Sequence, residues 1–545
     1  MSQTSPAEAD ISAPPQHVNM SHKQILVVLS GLMLGMLLAA LDQTIVSTAL
    51  PRITSDLGGQ QHLAWVVTAY LLTSTASTPL YGKISDLYGR KIVFQFAIVV
   101  FLIGSVLAGA SQNMGELIGT RALQGIGAGG LMTLAMAIVG DVISPRERGR
   151  YQGYFGGVFA LASVAGPLLG GFFTESLSWR WVFYINVPVG IIALVVTSVV
   201  LDIPFHRRDH KVDYTGAGLL VAATSALLLA LSLGGKAHNS GFAWGSVQII
   251  GLFVISVALF VGFVAWEIRA PEPILPMRLF RNKVFTLANV IGFILGFTMF
   301  GAIVYLPLYL QDVRGASPTM SGLQLLPLMG GVLTSSIGSG RLITKMGRYK
   351  MFPIIGLILT SLGFGLMSLI KADTSFLALA GAMIVIGLGM GCIMQVLVLA
   401  IQNALPYKDL GVGTSSNTFF RSMGSSIGVA VFGALVTNQL TSYVAGQPLA
   451  AADRATLGKA LTAGQGGGSS GGLQLPHALQ TIFDNAYVHA INNTFLWSVP
   501  LLLVGLVLAF WMPEKRLSRT SGLGRTAPTP ASSPDVAPDL TPVLE

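Results

Sequence analysis

The 545-residue chain predicts an all-α integral membrane protein, with two six-helix bundles and two further transmembrane helices inserted between them. Three observations lead there. The first is composition: 52% of residues are hydrophobic and only 10% are charged, with a mean hydropathy of +0.68. A soluble protein needs about 25% charged residues to wet its surface. The second is a set of fourteen apolar stretches, each near the ~20 residues that cross a hydrocarbon core as a helix. The third is an internal repeat at one fixed offset, which divides twelve of the fourteen into two sets of six.

Residues 1–24 are polar and Pro-containing, without the layout of a cleaved signal peptide, and read as an N-terminal tail. The predicted spans are 25–47, 62–81, 92–110, 116–139, 151–173 and 180–201, forming an N-terminal bundle over 25–201. Spans 214–234 and 246–267 form the inserted pair, 214–267. The C-terminal bundle, 286–512, holds spans 286–310, 320–343, 351–370, 375–402, 412–436 and 491–512. Residues 437–490 contain GQGGGSSGG (464–472) and are expected to be a flexible external loop. The Pro-, Ser- and Thr-rich stretch 513–545 is expected to be a disordered tail.

Lys and Arg set the orientation. Outside the spans or at their ends, 23 fall on one side and 7 on the other, which places both termini in the cytoplasm of a cell carrying the protein in its plasma or inner membrane. The net charge of +9 is therefore an orientation signal, and no basic cluster suggests nucleic acid.

GKISDLYGRK (82–91) follows the second span and GRLITKMGRYK (340–350) follows the tenth. Gly82, Gly89 and Arg90 recur as Gly340, Gly347 and Arg348, all at an offset of 258; Gly166 and Gly170 recur as Gly424 and Gly428. Two separate places in one register argue for duplication.

Charge inside a span is costly and points to function. Asp42 stands in MLLAALDQTIVSTALP (36–51), and Arg121 stands in the fourth span at a compatible depth. A pair, direct or through Gln124, is expected. It reads either as a permanent lock between two helices or as a proton-exchanging site. In GKISDLYGRK, Gly82 permits close helix contact, and Asp86, Arg90 and Lys91 form a charged latch; an ordinary positively charged loop is the plainer reading. Tyr70, Gln124, Asn417, Phe420 and Arg421, with Asp42, are the candidate substrate-cavity residues. No enzyme constellation, metal-ligand grouping, ATP-binding loop or cofactor motif is recognised, and the single cysteine, Cys392, excludes an internal disulfide.

Five stretches in order, LDQTIVSTALP (41–51), GKISDLYGRK (82–91), RALQGIGAGG (121–130), GPLLGG (166–171) and SWRWVFYINVPVG (178–190), resemble the major facilitator superfamily. Within it the chain looks like the fourteen-helix drug:H+ antiporter group, the EmrB/QacA-like proteins. The resemblance implies that Arg90 pairs with Asp141 and that Asp86 faces a helix N-terminus in the other half. It also implies that Gly166, Pro167, Gly170 and Gly171 form an antiporter motif that limits leakage, although glycines serve helix packing in any membrane protein. The expected function is proton-coupled export of amphipathic, often cationic, small molecules by alternating access, as a monomer or with an accessory partner. Export of an endogenous lipid, siderophore or antibiotic metabolite is the alternative; a non-transporting receptor or scaffold is more remote.

Overall fold

A computed structural model describes residues 22–58, 63–201, 213–234, 242–450, 452–454, 456–457 and 476–517. The predicted tail up to residue 21, the stretch 464–472 and the tail from 518 lie outside the described residues. Each of the fourteen predicted stretches lies on helix. The first five are α1 (His22–Leu57), α2 (Leu63–Tyr88), α3 (Arg90–Ala110), α4 (Met114–Val142) and α5 (Pro145–Ser176). The sixth stretch is split into α6 (Trp181–Tyr184) and α7 (Asn186–Val200), and the inserted pair is α8 (Tyr214–Leu233) and α9 (Val247–Glu267). Next come α10 (Lys283–Leu308), α11 (Pro318–Gln324), α12 (Leu326–Met346) and α13 (Met351–Met367). The last are α14 (Phe376–Ala404), α15 (Leu410–Ala445) and α16 (His477–Trp511). Eleven helices among the described residues are long and apolar enough to cross a membrane; α10 and α13 contain shorter apolar stretches, Lys283–Met299 and Met351–Met367.

The breaks have local causes. Pro188 and Pro327 lack the N–H that would bond four residues back, and the helix interrupts at Ile185 and Leu325, just upstream of each. Starts are set by side-chain caps: Asn113, Asp213, Ser246, Asn282 and Ser375 each accept a bond from an N–H in the first turn.

The expected loop at 437–490 begins and ends differently from its prediction. Helix α15 continues to Ala445 and α16 starts at His477, so both ends of that stretch are helical. Leu440, Val444, Leu479, Phe483 and Tyr487 are buried there in one apolar cluster. Their helical spacing among polar residues supplies a packing face that a hydropathy window averages away.

Buried apolar residues segregate along the chain. One set of clusters draws almost wholly on residues 28–201, the other on residues 220–517. In the first, α1 packs on α4, α5 and α7, and α4 on α2 and α3; in the second, α10 packs on α15, α14 packs on α12 and α13, and α16 packs on α10, α13 and α15. The two meet where α2 and α4 touch α15 and where α5 touches α12 and α14. The inserted pair packs together, with α8 against α2 and α15.

The repeat is visible in backbone shape. Gly89 (φ 93°) and Gly347 (φ 70°), offset by 258, both take a positive φ after equivalent helices, although their ψ angles differ. Only glycine does so cheaply.

Candidate functional site

Asp42 has no exposed surface, and two other helices supply three donors to it. From α4, Arg121 Nη1 donates to Asp42 Oδ2 at 2.6 Å, and Gln124 Nε2 donates to Oδ1 at 2.8 Å. From the first residue of α7, Asn186 Nδ2 donates to Asp42 Oδ1 at 3.2 Å and to Ser105 Oγ of α3 at 2.9 Å. Ser105 in turn donates to the Phe183 carbonyl at 2.8 Å, fixing α3 to α6.

Arg121 is held equally closely. Its Nη1 reaches Gln124 Oε1 at 2.6 Å, its Nε donates to the Val66 carbonyl at 3.3 Å, and its Cζ lies 4.2 Å from the Tyr70 ring centroid. Tyr70 is anchored by its hydroxyl to the Ala39 carbonyl at 3.3 Å. Gly104 makes this approach possible, since a Cβ there would overlap the Gln124 backbone. Removing two ions from water costs several kcal/mol each, and Coulomb attraction recovers it only when the remaining lone pairs are occupied. Gln124 and Asn186 occupy them here. The arrangement can hold a carboxylate in an apolar interior and can release it if α4 or α7 shifts against α1.

A second polar cluster lies where α2, α4 and α15 meet. Arg90 Nη2 pairs with Asp86 Oδ1 at 2.5 Å, and Arg90 Nε pairs with Asp141 Oδ2 at 2.8 Å. Across the junction, the Val412 N–H in the first turn of α15 donates to Asp86 Oδ2 at 3.3 Å. A carboxylate there is favoured by the free N–H groups of the helix start. Cβ atoms on Gly82 or Gly411 would overlap Ser415 or the Asp86–Arg90 pair respectively, so both glycines set the closeness of α2 and α15. Nearby, Arg146 donates to the Thr344 and Lys345 carbonyls at 3.0 and 3.2 Å, and Gln402 Nε2 to the Met136 carbonyl at 3.0 Å.

GPLLGG lies farther along α5. Gly166 and Gly170 rest on Thr44 and Thr48 of α1, and Pro167 faces Gly322 of α11. Their repeat counterparts, Gly424 and Gly428, rest in the same way on Phe293 and Phe297 of α10.

Of the sequence-predicted cavity residues, Asp42, Tyr70 and Gln124 share one cluster. Asn417, Phe420 and Arg421 do not join it. Asn417 Nδ2 bonds to the Ala288 carbonyl at 3.2 Å, and Phe420 stacks edge-on with Phe280 and Phe419. Arg421 lies on α10 at Gly296. Sequence reasoning missed Asn186 and Ser105, although Asn186 lies inside SWRWVFYINVPVG (178–190). It also missed two ion pairs of the segment after α9, Lys83–Glu272 at 3.5 Å and Arg278–Asp409 at 2.7 Å.

Two helical clusters packed on each other through α2, α4 and α5 of the first, with buried charge inside the first, define a membrane transporter of the two-bundle type. Residues 32–429 match the Major Facilitator Superfamily, and the chain belongs to that family. It is 43% identical to an uncharacterized MFS-type transporter of Mycobacterium tuberculosis (strain ATCC 25618 / H37Rv), over 90% of this chain and 70% of that one. It is 39% identical to the multidrug transporter protein MdtP of Bacillus subtilis (strain 168), over 90% of this chain and 94% of that one. The structure of the proton:xylose symporter XylE bound to 6-bromo-6-deoxy-D-glucose shares the fold. Its TM-score is 0.57 at 15% identity, covering 91% of this chain and 97% of that one.

Proposed function

We propose that the chain is a proton-coupled multidrug efflux antiporter of the fourteen-helix, EmrB/QacA-like group, exporting amphipathic, often cationic, compounds. The reading has both termini in the cytoplasm, a cell-membrane location and a protein that works as a monomer or with an accessory partner. It divides the chain into bundles 25–201 and 286–512 with the pair 214–267 between them. One observation carries it: Asp42, with no exposed surface, is held by Arg121, Gln124 and Asn186 from two other helices of the same bundle, α4 and α7. A static lock needs only the arginine; three donors from two other helices make the carboxylate sensitive to their relative position.

In this scheme a proton enters from outside, neutralises Asp42 and frees Arg121, and the bundles rock about a central cavity. The Asp86–Arg90–Asp141 cluster, with Gly82 and Gly89, is the cytoplasmic latch. Gly166, Pro167, Gly170 and Gly171 keep α5 seated on α1 and α11 against leakage. One proton falling through about 100 mV supplies roughly 2.3 kcal/mol for export.

Proteoliposomes with an imposed pH gradient test this, using a panel of cationic, neutral and lipid-like compounds. Wild type should transport uphill, and Asp42→Asn should keep downhill exchange but lose gradient-driven accumulation. Undiminished uphill transport by Asp42→Asn would remove the carboxylate from coupling.

A further inference from the structure

We infer that Arg421 is the recognition point for an anionic group, so that the amphiphiles this protein takes include carboxylates and zwitterions. The inference rests on the transport reading and names part of its substrate class.

Arg421 lies on α15, eleven residues past Leu410, or about 16 Å along the helix at 1.5 Å per residue. It is only 7% exposed, yet its Nη1 has no hydrogen-bond partner and no carboxylate pairs with it among the described residues. No Asp or Glu occurs in α10 or α15, the two helices that form this seam. The nearest acid before α15, Asp409, is already engaged bidentately by Arg278 at 3.0 and 2.7 Å. The other intramembrane arginine, Arg121, shows the contrast, with its carboxylate, amide and carbonyl partners all in place.

A second donor on the same seam is also unoccupied. Asn289 of α10 is 2% exposed and accepts from Asn417 at 3.5 Å, leaving its Nδ2 without a partner. Asn417 lies one helical turn before Arg421; Gly292 of α10 faces the Asn417 amide, and Gly296 faces the Arg421 backbone and the base of its side chain. The seam therefore presents buried donors and lacks an acceptor for them. A guanidinium keeps its charge in any protein environment, so an anion is the group that completes the site. A carboxylate or phosphate oxygen fits a planar guanidinium in a charge-assisted pair.

The two halves then differ in kind. The first carries an acid whose partners are present, and the second carries a cation whose partner arrives with the ligand.

The test uses full-length protein in phosphatidylcholine nanodiscs and a matched pair of fluorescent amphiphiles, 11-(dansylamino)undecanoate and its methyl ester. Empty nanodiscs correct for partition into lipid. Wild type should bind the carboxylate about tenfold more tightly than the ester, the scale of one charge-assisted hydrogen bond. Arg421→Gln should bring the carboxylate down to the ester's affinity while the ester's own affinity stays unchanged. Arg421→Lys should keep part of the preference. Equal affinities in wild type, or a preference retained in Arg421→Gln, would overturn the inference. The wild-type comparison decides even if the Gln variant does not fold. Adding phosphatidylglycerol separates the sources: competition assigns the anion to a lipid head group at the same guanidinium, and its absence assigns it to free substrate. Gradient-driven transport of tetraphenylphosphonium by the same preparation is measured in parallel. Its failure would count against the antiporter reading and leave the anion preference to stand or fall on binding.

Discussion

A carboxylate with no exposed surface depends on every donor around it, and Asn186 is the donor whose loss separates holding Asp42 from pairing with it. Asn186 carries no charge, so its removal leaves the Arg121–Asp42 pair in place. What goes is the tie from α7 to α1 and, through Ser105, to α3. A buried acceptor deprived of one donor loses about 1–3 kcal/mol. On the proposed mechanism, Asn186→Ala should lower the initial rate of pH-driven transport about tenfold, the lower end of that range. Ser105→Ala should change it less than twofold, about the scale of scatter in a rate, because Asn186 still reaches Asp42. The comparison is made in proteoliposomes at equal protein density. Equal rates for Asn186→Ala and wild type would mean that the α7 contact is packing alone. Asp42 and Arg121 were legible in sequence because charge in an apolar run has few tolerable explanations. Asn186 was not, since one amide in a helix is common and its partner lies 144 positions away.

At the scale of helices, most of the architecture was readable from hydropathy, and the exceptions share a cause. Windows of mean hydropathy detect contact with lipid, whereas α2, the ends of α15 and the start of α16 are stabilised by contact with other helices. Helix α2 is rich in Ser and Thr, several of which bond α4 carbonyls: Thr73 to Ala122 at 2.7 Å, and Thr78 to Gly129 at 3.3 Å. Such a helix satisfies its own backbone and borrows packing from its neighbour. The junction of α2, α4 and α15 rests on Arg90, which is shared by Asp86 and Asp141. Arg90→Ala would leave the buried Asp141 and the partly buried Asp86 without their cation, a loss of about 3–5 kcal/mol when one member of a buried pair is removed. The closed junction should open. In a Cys392→Ser background, maleimide should label Ser415→Cys, at the α2–α15 contact, at least tenfold faster in the Arg90→Ala protein, as such a loss implies. Arg90→Lys, which keeps one point charge, should fall between. Unchanged labelling would show that the junction is held by glycine packing rather than by charge.

Across the whole molecule, the segment after α9 ties the α8–α9 pair to both helical clusters. Glu267 at the end of α9 accepts the Ile274 and Leu275 N–H groups at 3.2 and 3.0 Å, which turns the chain back toward the bundles. Lys83 of α2 then meets Glu272 at 3.5 Å, and Arg278 meets Asp409, at the start of α15, through two bonds. The inserted pair is thereby connected to α2 on one side and α15 on the other, the same two helices that form the junction at Asp86. Nothing in the sequence announces this, because linker charges have no periodicity and Asp409 lies 131 positions from Arg278. The connection predicts that the segment helps to hold the two halves in register during cycling. Arg278 is half exposed, with 53% of its side chain accessible, so solvent screens part of the attraction and the effect should be moderate. Arg278→Glu sets two acids against each other and should slow gradient-driven transport roughly fivefold, within the range of one charge-assisted contact. The reciprocal change Asp409→Arg in the same protein should restore most of that rate. Recovery should stop short of wild type, since a cation at the start of α15 opposes the helix dipole that Asp409 favours. Initial rates of the single and double variants, compared as a cycle, isolate the pair from its surroundings. A double variant no faster than Arg278→Glu would show that the two residues act independently, and the segment would then be a tether between bundles with no part in their movement.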